Sequence, residues 1–450
     1  CMYVAYVRHS EQFNLVDLFV LISGVYFGLF DLLKVVFIYL GSPIHKILLQ
    51  PHLTVATSLT ILTPIIVAWF IINVVIEKTR FATYFEFIRL QYLIERCAQV
   101  KLRVVVVAAI LIIGFKLYSI FSYKVYYVLP YWKKEEFHIP YWFMSVHSVY
   151  LSIVFGFYFV SLVQLFKSNK YRWAWTILTL VFTALASLYG RRSMLDILML
   201  GLVIFSVIYH QRLFNWRVVS IVIICAVAML LYSNFFQLYR VKIEFSNIKE
   251  QQITEKVLMR RIPDKSNSIF NYYLTLSSLA NRPFQWYYVY QIIQAQKMQT
   301  ANTNGRNWIF MQSLHDIVPR FIWSGKGVII GSDDMVSLKY GMQQGDYPDS
   351  LYAFVQADFG SYAIIVTILL LVCLFAAASL FIYLLESSFI IFVICVGILL
   401  RNIMLIEQDY ISFLLIFRNC LFLVMLIGMV NLYRYFMSHK AAKELDSAPT

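Results

Sequence analysis

The chain has 450 residues, of which 60% are hydrophobic and only 14% are charged, and its mean hydropathy is +0.70. Its apolar residues come in repeated runs near the ~20 residues that a bilayer-spanning helix requires. This composition excludes an ordinary soluble domain and predicts an all-α polytopic membrane protein.

The apolar runs, taken in chain order, predict about ten membrane spans. They cover residues 15–40, 54–77, 102–120, 141–166, 173–189, 193–209, 217–233, 359–384, 388–406 and 411–433. No basic-then-apolar leader with a small-residue cleavage site follows Cys1, so no removable signal peptide is expected.

Basic residues in the short loops predict the orientation of these spans. The segment 78–103 carries six of them: Lys78, Arg80, Arg89, Arg96, Lys101 and Arg103. We therefore expect this segment in the cytoplasm, and alternation places the loops at 167–172 and 212–217 and the tail 434–450 on the same side. Both termini are then expected in the cytoplasm as well.

This alternation divides the chain into four parts. Spans 1 to 7 lie in residues 1–233, a large extracytoplasmic loop with short interfacial helices in 234–357, spans 8 to 10 in 358–433, and a cytoplasmic tail in 434–450. The loop holds thirteen Lys and Arg against nine Asp and Glu. A basic external face suggests an anionic partner, and simple attraction to anionic lipid headgroups is the alternative.

Several well-known motifs are missing from the sequence. There is no HExxH or CxxC, no Walker A motif and no dinucleotide fingerprint. The six cysteines include none in the large loop, so no disulfide framework is implied. We therefore expect no metal, no redox cofactor, no ATP hydrolysis and no nucleic-acid partner.

The stretch "SLYGRRSMLDILML" places Arg191 and Arg192 between two apolar runs. On the predicted topology they occupy a tight turn at the outer surface, where the sixth span begins. Because arginine grips phosphate and carboxylate oxygens through two parallel bonds, the pair is a candidate anion site. Alternatively, Arg192 pairs with Asp196 four residues on, or both side chains extend to the interface.

Two further arginines interrupt the apolar stretch "GILLRNIMLIEQDYISFLLIFRNC". At ~1.5 Å per residue, Arg401 and Arg418 would each lie on the order of 8–10 Å below the outer surface. Charges at that depth are costly unless they face a polar cavity or a counter-ion, so both are candidate site residues. Alternatively, Arg401 reaches Glu407 or Asp409, and Arg418 contacts carbonyls of a neighbouring helix.

The large loop adds a second group of candidates in "LHDIVPRFIWSGKG". A histidine and a carboxylate beside cations, here His315 and Asp316 near Arg320 and Lys326, can supply a general base next to an anionic leaving group. A structural loop histidine is the alternative.

Two aromatic stretches, "NYYLTL" and "FQWYYVYQIIQ", predict amphipathic interfacial helices. Trp286, Tyr287 and Trp323 are expected either to stack against sugar rings or to form an ordinary interfacial belt.

The "GRR" turn at 190–192, the loop "VPRFIW" followed by a lysine, and "YPDSLYAFVQADFGSYAIIV" together resemble the O-antigen polymerase, or oligosaccharide repeat-unit polymerase, family. The resemblance implies a metal-independent glycosyltransferase of GT-C-like architecture in the bacterial inner membrane. Its donor and acceptor would be glycans linked to undecaprenyl pyrophosphate, polymerised on the outer face for lipopolysaccharide or a similar surface polysaccharide. A chain-length regulator protein is a further implied partner.

The same resemblance assigns roles to individual residues. Arg191, Arg192 and Arg320 match arginines expected to bind the pyrophosphate. The family pattern commonly continues to Lys-Pro, whereas here Lys326 is followed by Gly327. His315 resembles, by its place on the large loop, the catalytic histidine proposed for related O-antigen ligases, and Asp316 and Asp349 are the other candidate bases.

Three alternatives stay open at this stage. A ligase of the same architecture would transfer finished polymer to lipid A core or protein. A peptidoglycan polymerase shares the layout, although its motifs are not recognised. A flippase or anion transporter would use the same arginines but should carry charges near the bilayer midplane and paired broken helices.

Overall fold

The computed structural model describes residues 13–25, 27, 51–75, 78–79, 82–123, 125, 140–189, 191–209, 285–297, 308–318, 332–340, 350–404 and 410–446. Of these described residues 91% are helical, and none of them belongs to a strand. The prediction of an all-α protein is therefore confirmed.

We number the described helices α1 to α15 in chain order. The first eight are α1 Leu15–Gly24, α2 Pro51–Phe70, α3 Ala82–Phe85, α4 Leu90–Ala98, α5 Leu102–Tyr123, α6 Tyr141–Lys167, α7 Arg172–Ser187 and α8 Arg191–Ile208. The others are α9 Gln285–Lys297, α10 Trp308–Ile317, α11 Ser332–Tyr340, α12 Leu351–Phe359, α13 Ala363–Leu385, α14 Phe389–Met404 and α15 Tyr410–Asp446.

Four helical stretches are long and apolar enough to cross a bilayer: Leu102–Tyr123, Val146–Lys167, Leu351–Leu385 and Tyr410–Tyr433. Shorter apolar helices are Leu15–Gly24, Leu59–Val74, Asp196–Ile208 and Phe389–Met404. These helices support a membrane protein. The count of ten spans is not confirmed, since α7 has only 16 residues and the predicted span 217–233 lies outside the described residues.

Helix α6 is the centre of one half of the bundle. It packs against α4, α5, α7, α8 and α14, and most of its side chains are buried. The uncharged helix α13 has the same place in the other half, where it contacts α2, α12, α14 and α15. Because α14 touches both α6 and α13, it joins the two halves.

Helix α5 has a lipid-type face and a packed face. Apolar side chains are exposed along one stripe: Val107, Ile110, Leu111, Leu117, Tyr118 and Phe121. The opposite stripe is buried and consists of Val105, Ala109, Ile112, Lys116 and Ser119. Both stripes follow the spacing of three and four residues that marks one side of a helix. At ~1.5 Å per residue the helix is about 33 Å long, which matches a bilayer core.

Helices α6 and α14 cross at two facing glycines. A Cβ added at Gly397 would lie 2.0 Å from the carbonyl oxygen of Ser152 and 2.6 Å from the backbone nitrogen of Gly156. A Cβ added at Gly156 would lie 2.3 Å from the carbonyl oxygen of Val393. The clashing atoms are backbone atoms, so neither helix can accommodate a side chain here without moving apart from the other.

We expect Gly397→Ala to destabilise the protein by about 1–3 kcal/mol, because overpacking must separate α6 from α14. The control is Gly114→Ala on α5, where an added Cβ meets nothing within 4 Å. That control should be neutral or slightly stabilising, since alanine is the better helix former. Thermal unfolding of the detergent-solubilised protein distinguishes the two variants. Equal unfolding temperatures would contradict a close crossing of α6 and α14 at Gly397.

Candidate functional site

Arg401 lies in the last turn of α14, facing the start of α8. Its guanidinium interacts electrostatically with the carboxylate of Asp196 on α8 and with the hydroxyl of Tyr189, just before α8. Asp196 is only 5% exposed, so water screens this interaction weakly. The carboxylate considered as a partner for Arg192 is therefore also a neighbour of Arg401.

Helix α8 begins at Arg191, two residues before the predicted span 193–209, so Arg191 and Arg192 lie in its first turn rather than in the loop before it. Asp196 follows about one turn after the two arginines, so the backbone brings the first turn of α8 close to the Asp196–Arg401 pair. The side chains of Arg191 and Arg192 lie outside the described part of the structure. Their roles as anion ligands stay predictions.

Lys116 on α5 is a buried cation that the sequence analysis passed over. It is 3% exposed, and its Nζ lies 4.7 Å from the centroid of the Tyr189 ring and 3.5 Å from the carbonyl oxygen of Val125. The signal that could have revealed it is a single charge inside the otherwise uncharged run 104–123. Tyr189 thus has both Lys116 and Arg401 as neighbours.

Aromatic side chains surround Tyr189. The ring of Tyr150 lies 5.7 Å away in a stacked arrangement, and the ring of His147 lies 6.0 Å away. The Tyr150 hydroxyl donates to the carbonyl oxygen of Ile112 at 3.2 Å, which ties α6 to α5. We call Lys116, Tyr189, Asp196 and Arg401 the cationic cluster, because both cations in it are neighbours of Tyr189.

Arg418 on α15 contacts the end of α10, the helix that carries His315. One terminal guanidinium nitrogen donates to the carbonyl oxygen of Ile317 at 3.4 Å. Nε and the other terminal nitrogen donate to the Asn419 side-chain oxygen at 3.3 and 3.2 Å. The alternative that Arg418 contacts a neighbouring carbonyl is therefore realised, and it brings this arginine to the last turn of α10, where His315 lies.

A buried carboxylate fixes the other end of α10. Asp358 on α12 accepts the backbone N–H groups of Ile309 and Phe310 at 3.3 and 2.8 Å and forms a 2.9 Å ion pair with Lys339 on α11. Its side chain is fully buried. Negative charge is favourable at a helix N-terminus, and Lys339 balances it, so Asp358 fastens α10 and α11 to α12.

A second network ties α9 and α11 to the same helix. The Gln296 amide donates to the Tyr340 hydroxyl at 2.9 Å and to the Gln356 carbonyl at 2.8 Å, and the Tyr340 hydroxyl donates to the carbonyl of Ala357. Burial raises the pKa of Tyr340, which keeps the hydroxyl neutral and able to donate. Helices α9 to α12 thus form one hydrogen-bonded assembly beside α15.

The remaining candidates are placed only in part. Asp316 lies on α10, and Trp286 and Tyr287 lie on α9, but their side chains are outside the described residues. Four other candidates fall wholly outside the described ranges: Arg320, Trp323, Lys326 and Asp349. Within the ranges that the structure describes, no group of three or more His, Cys, Asp or Glu side chains could hold a metal ion.

Comparisons with known proteins give no neighbour for this chain: no family model, no curated protein and no solved structure matches it.

Asp358→Ala should release the N-terminus of α10 and leave Lys339 buried without its carboxylate. We expect a loss of about 3–5 kcal/mol, as for other broken buried ion pairs, and faster hydrogen exchange at the amides of 308–317. The control is Glu95→Gln, which changes an exposed carboxylate hydrogen-bonded to Gln91 at 3.0 Å and should alter neither quantity. Unchanged exchange in α10 of Asp358→Ala would show that Asp358 does not hold this helix.

Proposed function

We propose that the protein is a membrane glycosyltransferase that polymerises oligosaccharide repeat units linked to undecaprenyl pyrophosphate, into O-antigen or a similar surface polysaccharide. The observation that carries the proposal is a pair of partly buried arginines on two consecutive helices, Arg401 in α14 and Arg418 in α15. A charge withdrawn from water is costly unless an opposite charge meets it, and Asp196 is the one carboxylate among the described residues that interacts with Arg401. Such a site favours an anionic ligand.

A lipid-linked diphosphate suits this site because its charged group lies at the headgroup level while its tail stays in the bilayer. Arginine forks bind phosphate oxygens through two parallel hydrogen bonds, which orients as well as attracts the group. Arg401 and Arg418, with Arg191, Arg192, Arg320 and Lys326 from the sequence, are the proposed pyrophosphate ligands. We place this site on the outer face of a bacterial inner membrane, within about ten spans of GT-C-like architecture and with both termini in the cytoplasm.

The proposed reaction joins one lipid-linked glycan to another. An acceptor hydroxyl oxygen bonds to the anomeric carbon of the donor sugar, and the bond from that carbon to the phosphate oxygen breaks. The lipid diphosphate leaves with the electron pair, and the arginines stabilise the charge that develops on it. A base, His315 or else Asp316 or Asp349, accepts the hydroxyl proton.

The position of His315 supports its candidacy as the base. It lies in the last turn of α10, and Arg418 contacts the carbonyl of Ile317 in that turn. The candidate base and a guanidinium that could bind the leaving group therefore both lie at the last turn of α10. Trp286, Tyr287 and Trp323 are the proposed glycan contacts, since flat aromatic rings suit the apolar faces of sugars.

Purified protein in liposomes with lipid-linked repeat units tests the proposal, because a polymerase should produce a ladder of longer glycans. Arg401→Gln and Arg418→Gln should each slow ladder formation by about 10²–10³-fold, the typical cost of losing one transition-state donor. Arg191→Ala and Arg320→Ala should weaken it as well. The control is Arg103→Gln, because Arg103 is exposed and lies at the start of α5. This substitution should leave the rate unchanged.

The products also separate the proposal from its alternatives. A ligase would transfer one finished polymer to lipid A core or protein without making a ladder. A flippase or transporter would move lipid-linked glycan across the vesicle without changing its length. The proposal fails if the wild type makes no ladder, or if all four arginine variants make the wild-type ladder.

A further inference from the structure

Lys116 is a buried ammonium in a lipid-facing helix, and the roles proposed above do not use it. It occupies the packed stripe of α5, between Ile112 and Ser119. Its Nζ has three N–H donors, but within the described residues its hydrogen bond is a single 3.5 Å contact to the Val125 carbonyl, which also accepts from Ser119. Within the described residues, no carboxylate forms an ion pair with it.

These contacts do not compensate the burial of a charge. A hydrogen bond of 3.5 Å lies beyond the usual range for N–H donors, and the Tyr189 ring face supplies only a partial counter-charge. A buried ammonium without strong partners costs free energy that a methionine of similar size would not. The charge is therefore better explained by a ligand than by stability.

Tyr189 provides the second observation. Its hydroxyl oxygen is buried and has no hydrogen-bond partner among the described residues, although Lys116 lies over its ring and Arg401 interacts with the hydroxyl. A buried hydroxyl without a partner is uncommon in folded proteins. Two cations and an unused O–H donor beside the same ring form the surroundings that a phosphate group requires.

We propose that Lys116 and the Tyr189 hydroxyl bind phosphate oxygens of the lipid-linked diphosphate together with Arg401, which also neighbours Tyr189. This assignment rests on the proposed function for the identity of the ligand. Lys116 is then a further phosphate-binding cation, and it is contributed by α5. The Tyr189 hydroxyl donates a hydrogen bond to a phosphate oxygen. The exposed apolar stripe of α5 favours a lipid-linked ligand, because the helix that supplies the cation also borders the bilayer.

Binding of farnesyl diphosphate to the detergent-solubilised protein tests the assignment, with inorganic pyrophosphate as the tail-free probe. Lys116→Met should weaken farnesyl diphosphate binding about tenfold or more, the cost of a lost charged hydrogen bond, and Tyr189→Phe about threefold. Lys116→Arg should keep most of the affinity. The matched control is Lys170→Met, because Lys170 also lies over a tyrosine ring, at 5.4 Å from Tyr171, but is exposed.

A second readout separates ligand binding from a structural role. Without ligand, Lys116→Met should unfold at a higher temperature than the wild type, since it removes a buried charge. Addition of farnesyl diphosphate should raise the unfolding temperature of the wild type far more than that of the variant. A variant that unfolds below the wild type and keeps wild-type affinity would give Lys116 a structural role and overturn the proposal.

The two probes identify the source of the phosphate. Tighter binding of farnesyl diphosphate than of pyrophosphate supports the lipid headgroup, whereas equal affinities assign the site to a free anion and overturn the lipid assignment. The ladder assay keeps this inference separate from the function. A wild type that makes a ladder while Lys116→Met binds normally refutes only the inference, and Lys116-dependent binding without a ladder refutes only the polymerase.

Discussion

The arrangement of the cationic cluster depends on the close crossing of α6 and α14 at Gly156 and Gly397. Arg401 lies one turn beyond Gly397, so the separation of the two backbones sets how near its guanidinium comes to α8. Helix α8 is fixed to α6 as well, because the Tyr158 hydroxyl donates to the carbonyl of Ile197 at 3.1 Å. One central helix therefore positions both Asp196 and Arg401.

Much of the helical content could be predicted from the sequence, since apolar runs of bilayer length are visible without any tertiary information. Arg401 was identified for the same reason, as a charge inside such a run. Its electrostatic interaction with Asp196 could not be predicted, because the two residues lie on helices far apart in the chain. Only the local alternative, Arg192 with Asp196, has a spacing that can be recognised. Lys116 was equally visible as a charge, but apolar residues lie on all sides of α5, so the sequence does not show which face is packed and which faces lipid.

The loop helices show a different limit of prediction. The stretch "YPDSLYAFVQADFGSYAIIV" was noted for its resemblance to a family, yet Asp358 within it received no role. Its carboxylate binds two groups that are distant from it in sequence, the first backbone amides of α10 and the ammonium of Lys339. Such a contact depends on how α10, α11 and α12 assemble, which no local pattern encodes. Arg418 then meets the opposite end of α10, so that helix is held at both ends by charged side chains.

The two faces of α5 bear on how a ligand would reach the cationic cluster. On one side of this helix lies Lys116, and on the other lie Ile110, Leu111 and Phe121, whose exposed apolar surface suits acyl chains. Helix α5 thus carries both a residue of the cationic cluster and an exposed face suited to hydrocarbon. A ligand with a long tail would approach sideways through the leaflet, and its supply would follow two-dimensional diffusion among lipids rather than its concentration in water.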